Sequence, residues 1–281
     1  MPWLLVVLAV AALLPAHARA SSPRAADMTA FDYLSTLPEA STYLHLMARA
    51  GLTPLLQRNT TLFTFLVPTN ASFAVSQTPN DTVALNQLLR FHILEGDIST
   101  ELGKLAPATP GWLLFTSLMT EPGLGGARQR MRLAYSVLAS TLFLNDQVAL
   151  PTGSKHTASG LVVLLPELLN PPQNTAQLLE TTPQAFHWLW TLAHSFDPLF
   201  FTGRSWRHST THTLFAPHNI AFDALPPALV RYLLLPAAAS DLDAVIKYHI
   251  FGEVLYSHQF PMEYDLTHVG GLRLGMSNGD P

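Results

Sequence analysis

The chain has 281 residues, 48% of them hydrophobic and 12% charged, with 19 acidic against 15 basic side chains and a net charge of −4. This is a globular composition of about two domains, not a disordered one. No polybasic run is present, which argues against nucleic-acid binding or an electrostatic membrane patch, and the absence of cysteine removes thiol catalysis, cysteine-based zinc sites and disulfides together.

Trp3 to Pro15 is an apolar stretch, and Ala18-Arg19-Ala20 follows it as a small-x-small cleavage pattern, so residues 1–20 are expected to be a secretory signal peptide. The stretch is shorter than the ~20 apolar residues that a membrane-spanning helix needs. A chain routed this way is expected outside the cell or at its surface. Asn59-Thr60-Thr61, Asn70-Ala71-Ser72 and Asn80-Asp81-Thr82 are then glycosylation candidates. Asn59 and Asn80 fall in polar, turn-like segments. Asn70 lies in a repeated motif, where a structural role competes.

The first folding unit opens with Phe31-Asp32-Tyr33-Leu34 and continues into a helix carrying Tyr43, Leu44, Met47 and Ala48, closed near Gly51. Phe63 to Val67 is an apolar run of strand length, ended by Pro68, which cannot donate to a ladder. Thr69 or Asn70 offers an N-cap for the next helix, whose first turn carries Phe73 inward. Gly123-Leu124-Gly125-Gly126 lacks the Lys-Ser/Thr ending of a phosphate loop and reads as a surface turn. Asn170-Pro171-Pro172-Gln173-Asn174 is a short, proline-stiffened linker.

The same order then starts again. Leu34, Pro38, Ala40, Leu44 and Ala48 align with Leu179, Pro183, Ala185, Leu189 and Ala193 at a constant spacing of 145 residues. Thr64-Phe65-Leu66-Val67-Pro68-Thr69-Asn70-Ala71-Ser72-Phe73 returns as Thr213-Leu214-Phe215-Ala216-Pro217-His218-Asn219-Ile220-Ala221-Phe222. Arg90-Phe91-His92-Ile93-Leu94 returns as Lys247-Tyr248-His249-Ile250-Phe251. The spacing grows to 149 and then 157 residues, which places insertions around Ser205 to Thr211 and Pro226 to Ser240. Because His218 replaces the threonine, Asn219 is expected to cap the second helix. A repeat of this length fixes two folding units, 28–170 and 174–281.

The pattern Thr-x-x-x-Pro-x-Asn-x-x-Phe followed by an aromatic-His pair, twice in order, resembles the fasciclin (FAS1) domain. The resemblance implies an α+β fold: tandem FAS1-like modules, each a compact wedge of β-strands packed against several α-helices. It also implies a non-catalytic role in cell adhesion or the extracellular matrix, with extracellular proteins or cell-wall polysaccharide as partners and no cofactor. In some animal members the aromatic-His pair is tied to cell binding, which here makes Phe91, His92, Tyr248 and His249 candidate binding residues. Phe91 departs from the usual tyrosine, so the first module has no phenol hydroxyl there. Leu272-Arg273-Leu274-Gly275-Met276-Ser277 resembles Met131-Arg132-Leu133-Ala134-Tyr135-Ser136. The sequence stops at Pro281, with no counterpart of Thr141 to Leu169, so the second module is expected to lack its C-terminal strands, to expose a sheet edge and to come from a fragment or incomplete gene product, the alternative being completion by a partner strand. A C-terminal membrane anchor would have been lost with them.

The competing enzymatic reading is a secreted metal-dependent hydrolase built on His208-Ser209-Thr210-Thr211-His212 and His218. Zinc needs three or four converging ligands, and this group falls in a loop with no flanking acid or cysteine, so no metal site is expected. His187 and His194 share a helix face with aromatic neighbours, which points to core or half-buried packing. His92 and His249 are expected to have their ring nitrogens tied to backbone groups inside the fold. Without a Gly-x-Ser-x-Gly elbow or a cysteine, no catalytic residue is assigned. Asp241 and Asp243 read as helix-capping acids.

Overall fold

The computed structural model describes residues 28–102, 112–121, 124–136, 141–145, 147–151, 153–197, 212–252 and 254–255, together with the backbone of strands 263–267 and 273–277. The expected signal peptide and the His208–Thr211 stretch lie outside these residues. Two compact units separate between Pro171 and Pro172, inside the proline linker.

In the first unit, Thr29 starts helix α1 (Ala30–Ser35) through a capping box with Asp32. A 3-10 turn at Pro38–Ala40 leads into α2 (Ser41–Arg49), which buries Tyr43, Leu46 and Met47 on one stripe. Gly51, at φ 70°, lets the chain leave this helix in the left-handed region. Helix α3 (Thr53–Leu56), strand β1 (Phe63–Pro68) and helix α4 (Asn70–Val75) follow. Helix α5 (Thr82–Phe91) is capped by the Asp81 carboxylate, which accepts the Ala84 N–H at 2.8 Å. Strand β2 (Ile93–Glu95) and helix α6 (Ser99–Leu102) complete this half.

The rest of the first unit is strand: β3 (Trp112–Thr120), β4 (Arg128–Ser136), β5 (Thr141–Leu144), β6 (Val148–Ala149), β7 (Ser154–Thr157) and β8 (Gly160–Leu165). They join β1 and β2 in one sheet of order β6-β5-β4-β3-β2-β1-β8-β7, in which β1 and β8 run parallel and the other neighbours antiparallel. The period-2 alternation of β1 divides its side chains between two cores. Phe63, Phe65 and Val67 pack with the helices, while Leu66 joins Leu161, Val163 and Leu165 of β8 in a second cluster among the strands. That is why β1 is apolar apart from Thr64: it is buried on both faces. The predicted glycine turn lies between β3 and β4, with Gly125 and Gly126 at φ 67° and 79°.

The second unit opens with α7 (Thr175–Thr181), held by a capping box between Asn174 and Gln177. Helix α8 (Pro183–Phe196) kinks at Phe186, and β9 (Thr213–Leu214) and α9 (Asn219–Asp223) follow. The expected insertion at Pro226 to Ser240 forms helix α10 (Pro227–Leu233) and a 3-10 turn at Pro236–Ala238, anchored by buried Val230, Leu233 and Ala238. Helix α11 (Ala239–Tyr248) leads to β10 (Ile250–Phe251), which pairs with β9. Strands β11 (Glu263–Thr267) and β12 (Arg273–Ser277) form a separate antiparallel pair. Leu179, Leu189, Leu192, Phe222, Leu242 and Ile246 lie in the core.

Several sequence expectations shift here. Among the described residues β9 has β10 as its only strand neighbour, and its side chains are half-buried where those of β1 are fully buried. His187 and His194 do share a face, but an exposed one, because Leu189, Leu192 and Ala193 form the inward stripe of α8. Asp241 stands in the first turn of α11, where an acid suits the helix dipole, but neither it nor Asp243 makes a capping hydrogen bond. The 3-10 turn runs straight into α11, so Asp241 instead accepts the Tyr232 hydroxyl at 2.7 Å and Asp243 pairs with Lys247 at 2.6 Å. Among the described residues no helix is long and apolar enough to cross a membrane.

Candidate functional site

The repeated motifs converge on one frame in each unit. The first residue of each long motif is a threonine that holds the segment after the following short strand. Thr64 Oγ1 donates to Gly96 O at 2.9 Å and accepts the Ile98 N–H at 3.1 Å; Thr213 Oγ1 accepts the Leu255 N–H at 2.7 Å. The His92 carbonyl accepts the Leu66 N–H, and the His249 carbonyl accepts the Phe215 N–H, both at 2.9 Å. These bonds tie the strand to the aromatic-His pair.

The motif asparagine has a role that sequence reading missed. Asn70 Oδ1 accepts the Thr42 N–H at 2.9 Å, and Nδ2 donates to Pro38 O at 2.9 Å and Ser41 Oγ at 3.0 Å. Asn219 does the same work: Oδ1 accepts the Trp188 N–H at 3.1 Å, and Nδ2 donates to Pro183 O at 3.0 Å and Gln184 O at 3.1 Å. Pro38 and Pro183 occupy equivalent places in the repeat, so the signal was present in the paired spacings. Capping falls one residue earlier than expected in the second copy. Thr69 caps α4 through its hydroxyl, and His218, not Asn219, caps α9, with Nδ1 accepting the Ile220 N–H at 3.3 Å.

In the first unit the candidate binding pair is wholly internal. Phe91 and His92 are both buried, with their rings edge-on at 6.3 Å. The His92 Nε2 accepts the Leu169 N–H at 3.0 Å, so the ring proton sits on Nδ1, which donates to Leu88 O at 2.9 Å. Burial pushes this imidazole down to a pKa of about 4, against the partial opposition of the Leu88 bond. It is neutral, doubly bonded and unreachable by a partner. The expectation that its nitrogens are tied to backbone groups describes this ring well.

The second unit keeps the geometry but not the burial. Tyr248 and His249 are edge-on at 5.8 Å, and His249 Nδ1 lies 2.8 Å from Val245 O, matching His92 with Leu88. Tyr248, however, is 42% exposed, and Val245 one turn earlier is exposed beside it. The motif position that is core in one unit is surface in the other.

Of the histidines suggested for metal binding, His208 lies outside the described residues. His218 is committed to its cap and to an edge contact with Phe186 at 6.2 Å; His194 stacks on Trp190 at 5.2 Å, and His187 lies against Trp188 at 5.6 Å. Among the described residues no three His, Cys, Asp or Glu side chains could hold a metal ion together.

Comparison with known proteins gives a consistent result. The Fasciclin domain family model matches residues 38–171 and 201–280. Rabbit (Oryctolagus cuniculus) transforming growth factor-beta-induced protein ig-h3 is 29% identical over 240 residues, covering 85% of this chain and 32% of its own. The chain thus spans about a third of the length of that curated relative. A solved FAS1 domain pair from the insect cell adhesion molecule fasciclin I is 12% identical, covering 86% of this chain and 84% of its own, with a TM-score of 0.32.

Proposed function

The chain belongs to the fasciclin domain family, and on that premise we propose that it is a secreted or cell-surface adhesion protein that acts by binding and not by catalysis. Its modules are 28–170 and 174–281, each an α+β wedge, the first a scaffold and the second the contact surface. The observation that carries this reading is the contrast at the aromatic-His motif. Phe91 and His92 are sealed in the core, whereas Tyr248 and Val245 stand exposed on one face of α11.

A half-exposed tyrosine next to an apolar side chain is a common anchor in protein interfaces, because the ring contributes area and the hydroxyl a hydrogen bond. An extracellular protein is the partner this surface suits, since Val245 and Tyr248 stand exposed one turn apart on α11 as an apolar and an aromatic anchor. The test is adhesion of cells, and of purified matrix proteins, to the immobilised full chain. Tyr248→Ala is expected to cut adhesion several-fold while thermal unfolding stays unchanged. Undiminished adhesion by the folded variant would overturn the assignment.

A further inference from the structure

The three sequons of the first unit differ sharply in what their atoms already do. Asn59 lies in the exposed loop between α3 and β1, and Asn80 in the exposed turn ahead of the Asp81 cap. The residues two positions on, Thr61 and Thr82, are exposed as well. Asn70 is the opposite case: its carboxamide makes the three bonds to Thr42, Pro38 and Ser41. The hydroxyl of its sequon, Ser72, is buried and donates to Leu165 O at 3.1 Å.

A second observation, independent of the sequons, falls on the same places. Among the described residues, the large hydrophobic side chains that the first unit exposes are Leu62 at 49%, Val75 at 86% and Val83 at 70%. Three residues of chain reach at most about 10 Å and five about 17 Å. Leu62 therefore lies near Asn59, while Val75 and Val83 flank Asn80. The second unit exposes Ile220, Leu235, Val245 and Tyr248 among others, and no sequon follows Asn80.

We propose that Asn59 and Asn80 carry N-linked glycans that screen the exposed apolar residues of the first unit, and that Asn70 carries none. In the transfer, Nδ2 displaces a lipid-linked diphosphate from C1 of the donor sugar. One C–N bond forms, one C–O bond breaks, Nδ2 gives up one proton to a base of the transferase, and the diphosphate leaves with its lipid. A bulky, solubilising group at these positions covers side chains that would otherwise favour association. Transfer precedes folding, so Asn70 is excluded by what can fold afterwards. A sugar there leaves Nδ2 one N–H for two acceptors and fills the space held by Pro38 and Ser41. No sequon lies in the second unit's sequence, which accords with the adhesion reading that places contact there.

The proposal rests on the secretory routing in that reading, and the experiment separates the two. The full chain is expressed in animal cells with its own N-terminus and, in parallel, behind the leader of an abundant secreted protein. Secreted product is treated with peptide N-glycosidase in ¹⁸O water, and the peptides containing Asn59, Asn70 and Asn80 are read by mass spectrometry. Labelled aspartate at positions 59 and 80, with unlabelled Asn70, is the expected result. Labelling at 70, or unmodified Asn59 or Asn80 in secreted protein, overturns the assignment at that residue. Failure of the native N-terminus alone, with the expected sites occupied behind the other leader, would count against the routing and leave the glycan assignment standing. Asn59→Gln with Asn80→Gln, which removes no side-chain hydrogen bond among the described residues, is expected to raise binding of an apolar dye several-fold; unchanged dye binding overturns the screening role.

Discussion

The backbone N–H of Leu169 donates to Nε2 of His92 at 3.0 Å, joining positions 77 residues apart in the chain. With Leu88 on the other nitrogen, the imidazole locks the end of α5 to the segment that leaves the first unit. Protonation would turn the Nε2 acceptor into a donor facing a donor, which breaks this link.

Acid should therefore weaken the first unit. His92 binds a proton at about pH 6.5 when unfolded but only at about 4 when folded. The unfolded state takes the proton first, so the stability is fully present above pH 6.5 and is lost as pH falls toward 4. At ~1.4 kcal/mol per pKa unit, the window is worth roughly 3 kcal/mol. Urea midpoints measured from pH 7 to pH 4.5 are expected to fall more steeply for the native chain than for His92→Gln. Parallel curves would show that this histidine is not the group responsible.

Asn70→Ala and Asn219→Ala should each loosen one unit and spare the other. Each removes three hydrogen bonds from a partly buried staple, including one to the backbone carbonyl of an equivalent proline. The expected cost is ~2–3 kcal/mol, most of it from backbone groups left unpaired. Trp188 donates its backbone N–H to Asn219, so tryptophan fluorescence should follow the second variant through denaturation. Equal loss in both units from either change would contradict separate staples.

Gly160 should tolerate no side chain. It sits at φ 120°, and an added Cβ would lie 1.9 Å from Phe63 O and 2.7 Å from Phe63 N, at the start of the parallel β1–β8 pairing. Backbone atoms cannot move aside as a flexible side chain could, so Gly160→Ala should cost ~2–4 kcal/mol. Gly153→Ala, with nothing within 4 Å, serves as the control and should change stability by less than about 0.5 kcal/mol. Calorimetry of the two variants decides the matter.

Substitution of the motif aromatics should separate stability from adhesion. Phe91→Ala empties part of the strand core and is expected to cost ~3–5 kcal/mol. Tyr248→Ala changes an exposed ring and should stay within about 0.5 kcal/mol while reducing adhesion. A large thermal shift in the tyrosine variant would show that its ring is a packing element after all.

The sequence by itself determined the number of units, the strand Phe63–Val67 with its proline stop, and the helix led by the Pro-x-Asn motif. These are local: periodicity, chain direction at proline and short-range capping act within a turn or two, so residue order reads them out. Only the tertiary structure decided what the repeated residues do. Asn70 and Asn219 read as caps or sequons until Pro38 and Pro183 were seen across the fold. His187 and His194 shared a face by spacing, but only packing told which side of α8 turned inward. Phe91 and Tyr248 hold the same motif position and part company because β8 and Leu169 help enclose the core around the first, while α11 leaves the second in solvent. Burial belongs to the neighbours brought by distant chain, and no local pattern contains them.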